Sequence, residues 1–133
     1  MTTRAVFLFL LCGLGGVLAA CGQPNEGPVK VTENNAGSTV ELHQGQTLKV
    51  ELQGNPTTGY TWEVLPGAES ILEQQGEAQL VPESQAVGAG GLVTLTFKAV
   101  RAGQATLSLV YHRTFELGVP PLRTFELTVV VAG

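Results

Sequence analysis

The stretch Asn55-Pro56-Thr57-Thr58-Gly59-Tyr60, followed by Thr61-Trp62, combines residues whose restraints all point to a short, stiff, solvent-facing loop between two strands. A residue before proline is driven out of the α region toward extended geometry, which applies to Asn55. Pro56 fixes its own φ and has no amide donor, so it suits a turn corner. Thr57 and Thr58 are β-branched, which keeps two small hydroxyl side chains in defined directions. Gly59 permits a positive φ or a close backbone approach at the exit. Tyr60 and Trp62 fall on one face of the next strand and can anchor the loop in the core. The chemistry of such a stretch is recognition by shape. A rigid wedge with small polar tips loses little entropy on entering a narrow cleft. A plain Pro/Gly turn is the alternative, and the rest of the chain decides between them.

Groups that could catalyse a reaction are scarce. The chain has two histidines, His43 and His112, and its acidic residues are eleven glutamates with no aspartate. No HExxH-type metal-ligand spacing occurs, and Ser38, Ser70, Ser84 and Ser108 stand in no nucleophile motif. An enzyme is not expected, and neither a metal nor a cofactor is called for. His112, beside Arg113, reads either as a partner contact or as a solvated strand-end histidine.

The N-terminus reads as a targeting segment. Arg4 precedes an apolar run from Ala5 to Leu18 that is short for a membrane span. It closes with Leu18-Ala19-Ala20-Cys21, which resembles the lipobox of bacterial lipoprotein signals; an ordinary cleavage site before an incidental cysteine is the other reading. The resemblance implies cleavage before Cys21 and a lipid on its sulfur. It divides the chain into a signal peptide at 1–20, a tether at 21–28 and a domain at 29–133. The expected location is the bacterial cell envelope, lipid-anchored to a membrane and facing the periplasm or the exterior. Cys12 would leave with the signal, so the mature domain would have neither a disulfide nor a reactive thiol. Without residues 1–20 the chain has 113 residues, six basic and eleven acidic, a net charge of −5. That is one domain by size, and its charge argues against nucleic acid.

From Pro28 onward the pattern is strands and turns without a helical period. Val29 to Thr32 and Thr39 to His43 flank a turn at Asn34-Asn35-Ala36-Gly37. Leu48, Val50 and Leu52 alternate with Lys49 and Glu51, as a half-buried strand requires. Val93, Leu95, Phe97 and Ala99 repeat that alternation, as do Ala105, Leu107, Leu109 and Tyr111, and then Phe125, Leu127, Val129 and Val131. Residues 71–82 read as short strands broken at Gly76, or as one strand and an irregular crossover. The expected fold is all-β, an immunoglobulin-like antiparallel β-sandwich of seven to eight strands. RTFEL occurs twice, at 113–117 and 123–127, by coincidence or local duplication.

In an up-and-down arrangement the connections at 54–59, 83–91 and 113–121 emerge at one end of the sandwich. The second carries Gly88-Ala89-Gly90-Gly91 and the third is entered through Tyr111-His112-Arg113-Thr114-Phe115. These stretches resemble the chagasin-like inhibitors of papain-family cysteine peptidases. That family has an NPTTG[FY]xW loop, a GxGG loop and an Arg-Pro-Trp loop in this order. Here Thr114 stands in place of the proline and Phe115 in place of the tryptophan. The resemblance implies a monomeric inhibitor that occludes the cleft of a papain-like cysteine peptidase reversibly, with Thr57 and Thr58 over the catalytic centre. Pro56 and Gly59 would fix that loop's shape, and Asn55 and Tyr60 would belong to the same peptidase-binding stretch. Gly88, Gly90 and Gly91 would lie along the substrate groove, and Arg113 and Phe115 would reach its primed side, a weaker contact than the motif-perfect tripeptide makes. An envelope-tethered adhesion or protein-interaction module without inhibitory activity is the competing reading.

Overall fold

The alternating runs form strands wherever one face can be buried and turn residues close the ends. In the computed structural model, which describes residues 27–133, the order is β1 (Val29–Thr32), β2 (Thr39–His43), β3 (Thr47–Gly54), β4 (Thr61–Val64), β5 (Leu72–Gln74), β6 (Gln79–Pro82), β7 (Gly91–Ala99), β8 (Gly103–His112) and β9 (Arg123–Ala132). One sheet runs β1-β3-β7-β5, with β6 also paired to β7, and the other runs β2-β9-β8-β4. The immunoglobulin-like sandwich class is borne out. Residues 1–26, which hold the stretch read as a signal peptide, Cys21 and most of the expected tether, lie outside the described residues.

Three details differ from the expectation. The uncertain segment 71–82 supplies two strands, which raises the number to nine; β5 pairs with Phe97 to Ala99 and β6 with Gly91 to Thr94 along the same side of β7. The sandwich is not wholly antiparallel, because β1 pairs parallel with β3 and β2 parallel with β9. Nor do successive strands run up and down within a sheet. The turn after β1 carries the chain across to the other sheet, as do the connections β3–β4 and β7–β8. The physical reason is the core: each sheet has one apolar face, and alternating between sheets buries both faces together.

That core is made of Leu48, Val50, Leu52, Leu95, Phe97 and Ala99 from one sheet against Leu107, Leu109, Tyr111, Phe125, Leu127, Val129 and Val131 from the other. Val31, Leu42, Ile71 and Leu72 extend it. Each such side chain stabilises by about 1.5–3 kcal/mol when fully buried, so packing suffices without a covalent staple. Val93, Ala105 and Tyr60 are only half-buried, at the periphery of this core. Gln46 is the one buried polar residue among those described. It receives the His43 amide on Oε1 at 2.9 Å and donates from Nε2 to the Gly27 carbonyl at 2.7 Å.

The register fixes the two ends. Gly54 faces Gly91, Thr61 faces His112 and Arg123 faces Tyr111, so loops 55–60, 83–90 and 113–122 share one end as expected. Gly27 and Gln46 lie at the other.

Candidate functional site

The motif Asn55-Pro56-Thr57-Thr58-Gly59 folds as one turn of 3-10 helix, Pro56–Thr58, with a cap at each end. Asn55 is the N-cap, extended at φ −143°. Its Oδ1 accepts the Thr57 amide at 3.1 Å and the Thr57 hydroxyl at 2.6 Å. Pro56 occupies the first helical position, where a missing amide hydrogen is harmless. Gly59 ends the turn at φ +85°, a left-handed conformation that excludes most side chains. The Thr58 hydroxyl donates back to the Asn55 carbonyl at 2.6 Å. Both threonine hydroxyls are therefore spent inside the loop and keep only acceptor capacity toward a partner. The tip is less polar than the sequence suggested. Pro56, Thr57 and Thr58 are exposed; Asn55, Gly59 and Tyr60 are half-buried.

The wedge crosses from one sheet to the other, and the loops beside it are hairpins, β6–β7 and β8–β9. It is bonded to both. Asn55 Nδ2 donates to the Gly88 carbonyl at 2.9 Å, and Arg113 Nε donates to the Thr58 carbonyl at 2.9 Å. From below, the Tyr111 hydroxyl accepts the Asn55 amide at 2.8 Å.

A column of rings and cations supports this end. Arg113 lies 4.5 Å over the Tyr60 ring. Tyr60 stacks on Tyr111 at 5.3 Å, and Trp62 packs on Tyr111 at 5.0 Å. Arg123 closes the column, 4.4 Å from the Tyr111 ring and 5.3 Å from that of Trp62. Arg123 also donates to Glu33 Oε1 and to the Gln53 carbonyl, each at 2.8 Å, and Trp62 Nε1 donates to the same carbonyl at 2.9 Å. Ring pairs contribute about 0.5–1.5 kcal/mol and cation–ring contacts about 0.5–2 kcal/mol. The column therefore outweighs the half-exposed Arg113–Glu116 ion pair at 3.6 Å, since such pairs give about 0–1 kcal/mol. Sequence reasoning missed Arg123 and Glu33 as site supports. The one available signal was the repeated RTFEL, which places an arginine at each end of the column.

The glycine loop divides by role. Gly88 is exposed at φ +80°, with open space where a Cβ would be and its carbonyl held by Asn55. At Gly90 an added Cβ would stand 2.9 Å from the Gly54 carbonyl oxygen, and at Gly91 it would stand 2.2 Å from that of Val81. The close approach allowed by Gly90 and Gly91 is thus internal, between β3, β6 and β7, and Gly91 is buried. In the third loop Arg113 faces the wedge, while Phe115 is 71 % exposed with its ring edge against Gly59, 3.2 Å from where a Cβ would be. His112 is engaged on the sheet surface, its Nε2 2.7 Å from Glu63 Oε1.

Comparison with known proteins places this arrangement. Residues 41–129 match the chagasin family peptidase inhibitor I42. Amoebiasin-1 of Entamoeba histolytica is 30 % identical over 106 residues, covering 77 % of this chain and 99 % of that protein. Chagasin of Trypanosoma cruzi is 30 % identical over 89 residues, 63 % of this chain and 80 % of its own. The crystal structure of the cysteine protease inhibitor EhICP2 from Entamoeba histolytica superposes with a TM-score of 0.73 at 27 % identity, covering 83 % of this chain and all of that one. The fold, the capped wedge and these matches lead to one assignment: the chain belongs to the chagasin family of peptidase inhibitors, a family of inhibitors and not of enzymes.

Proposed function

We propose that this chain is a reversible, competitive inhibitor of papain-like cysteine peptidases, and that Pro56, Thr57 and Thr58 enter the peptidase cleft. The observation that carries this reading is the double tethering of the wedge, to Gly88 on one side and to Arg113 on the other. A loop held in its bound shape beforehand loses little entropy on docking. EhICP2, which shares this fold, is a cysteine protease inhibitor, and this supports the target class. Turnover is disfavoured because the exposed residues form a helical turn, whereas a substrate crosses such a cleft extended. The test is titration of the domain against a panel of papain-like peptidases. Competitive, dilution-reversible inhibition is expected, and its absence across the panel overturns the reading.

The same proposal places the chain on an envelope membrane through a lipid on Cys21. The Leu18-Ala19-Ala20-Cys21 pattern supports this. Gly27 is bonded to Gln46 at the end opposite the wedge, so a tether leaving there points the wedge away from the membrane. Acyl mass on Cys21 in protein made by a lipoprotein-processing bacterium is the expected result. An unmodified Cys21 refutes the anchor and leaves the inhibitor reading intact.

A further inference from the structure

The third loop of this chain spends its charges on neighbouring groups and leaves its apolar side chains exposed. Arg113, which the family resemblance would send toward the peptidase, is engaged by the Thr58 carbonyl, the Tyr60 ring and the Glu116 carboxylate. Glu116 is the only other charged residue in 113–122. Past it, Leu117 is 90 % exposed, Val119 54 % and Leu122 60 %. Val87 on the neighbouring loop is fully exposed. With Phe115, five of the eight exposed large hydrophobic residues described sit on the two hairpin loops beside the wedge. A concentration of exposed apolar side chains at one end marks an interaction surface, where scattered ones would not.

We propose that the third loop meets the peptidase through an apolar face formed by Phe115, Leu117 and Val119, with Arg113 serving as the brace that holds the loop to the wedge. This rests on the inhibitor reading above and assigns the chemistry of its third contact. The occupant follows from continuity. Phe115 lies against Gly59, so the apolar face begins at the wedge and runs outward from it. Leu117 is exposed two residues beyond Phe115 on the same loop, so a partner that admits the wedge comes up against this loop as well. The complementary feature on the peptidase is an apolar depression flanking the cleft, not a carboxylate waiting for a guanidinium. The loop is built to present this face at low entropic cost. A turn closes where the Glu116 amide donates to the Arg113 carbonyl at 3.0 Å, and the Leu122 amide donates to the Tyr111 carbonyl at 2.8 Å at its base. Gly118 reverses the chain at φ +76°, and Pro120 and Pro121 stiffen the return.

The experiment compares residues 27–133, which contain the complete described core, with two variants, Leu117→Ser/Val119→Ser and Thr57→Glu/Thr58→Glu. Inhibition constants and dissociation rates against a papain-like peptidase that the wild type inhibits are read beside thermal midpoints and sedimentation. The serine pair is expected to raise the inhibition constant tenfold or more through faster dissociation, with the thermal midpoint unchanged and with no greater sensitivity to salt. An unchanged constant, while the glutamate pair abolishes inhibition, overturns the proposal and leaves the inhibitor reading standing. A wild-type dimer that the serine pair dissolves without altering inhibition assigns the face to a second copy and also overturns it. Failure of the wild type against every such peptidase removes the parent reading and this one with it.

Discussion

Arg113 donates from Nε to the carbonyl oxygen of Thr58 at 2.9 Å, tying the third loop to the tip of the first. The same guanidinium stacks on Tyr60, which follows the tip in sequence. Two loops separated by 55 residues therefore hold one shape together. Arg113→Ala is expected to lower stability by about 2 kcal/mol, the low end for a charge-assisted bond plus a partly exposed cation–ring contact. A double-mutant cycle with Tyr60→Leu should show coupling of about 0.5–1.5 kcal/mol. Arg113→Lys should recover only part, because a lysine cannot stack a planar donor in this way. Strict additivity in the cycle would contradict the brace.

Asn55 caps the wedge and bonds Gly88 with the two ends of one amide. Asn55→Ala should cost about 1–2 kcal/mol of stability, the upper range for a lost N-cap. Inhibition should fall by a larger factor, because the free loop must then be ordered by the peptidase. Asn55→Asp retains the cap acceptor and loses the donor to Gly88, so it should fall between. Denaturant melts and inhibition constants on the three proteins check the order.

Gly91 and Gly88 separate fold from site. Gly91→Ala drives a Cβ to 2.2 Å from the Val81 carbonyl, so β6 must shift. A loss at the upper end of the usual overpacking range, about 3 kcal/mol, is expected because the atoms met are backbone. Gly88→Ala meets no atom within 4 Å but is strained by φ +80°, for about 1–2 kcal/mol held locally in the loop. Urea midpoints should drop more for Gly91→Ala. Equal drops would contradict this division of the glycine motif.

Thr114 occupies the second position of the turn from Arg113 to Glu116, where proline's fixed φ is favoured. Thr114→Pro should stabilise the loop by about 0.4–1 kcal/mol through the unfolded state. Added to it, Phe115→Trp should enlarge the apolar contact and tighten inhibition by about 1–2 kcal/mol. Urea melts measure the first effect, and isothermal titration against the peptidase measures the second.

The sandwich was legible because its strands are long and alternate cleanly: Leu48-Val50-Leu52 and Phe125-Leu127-Val129-Val131 could face nothing but a core. The wedge was legible for a different reason, since Asn, Pro and Gly each fit one position of a capped turn. What escaped was information held between segments. The short strands β5 and β6 acquire their identity from β7, and β1 and β2 split between sheets through pairings no local pattern encodes. RTFEL makes the point most directly. Its second copy is a strand with Phe125 2 % exposed, and its first is a loop with Phe115 71 % exposed. Identical residues take different roles because only the second copy has a β8 partner to pair with. The inward turn of Arg113 was hidden in the same way, since its acceptor lies on another loop.

The most direct measurement is inhibition of a papain-like peptidase by the wild-type domain and by Thr57→Glu/Thr58→Glu, with circular dichroism and thermal midpoints on both. These two residues are exposed, so the fold should survive the change. A carboxylate pushed into the cleft clashes and stays unpaired, which weakens binding by several kcal/mol. The account predicts competitive inhibition by the wild type and its loss, by a factor of a thousand or so, in a variant that is still folded. A folded variant that inhibits as well as the wild type would contradict it.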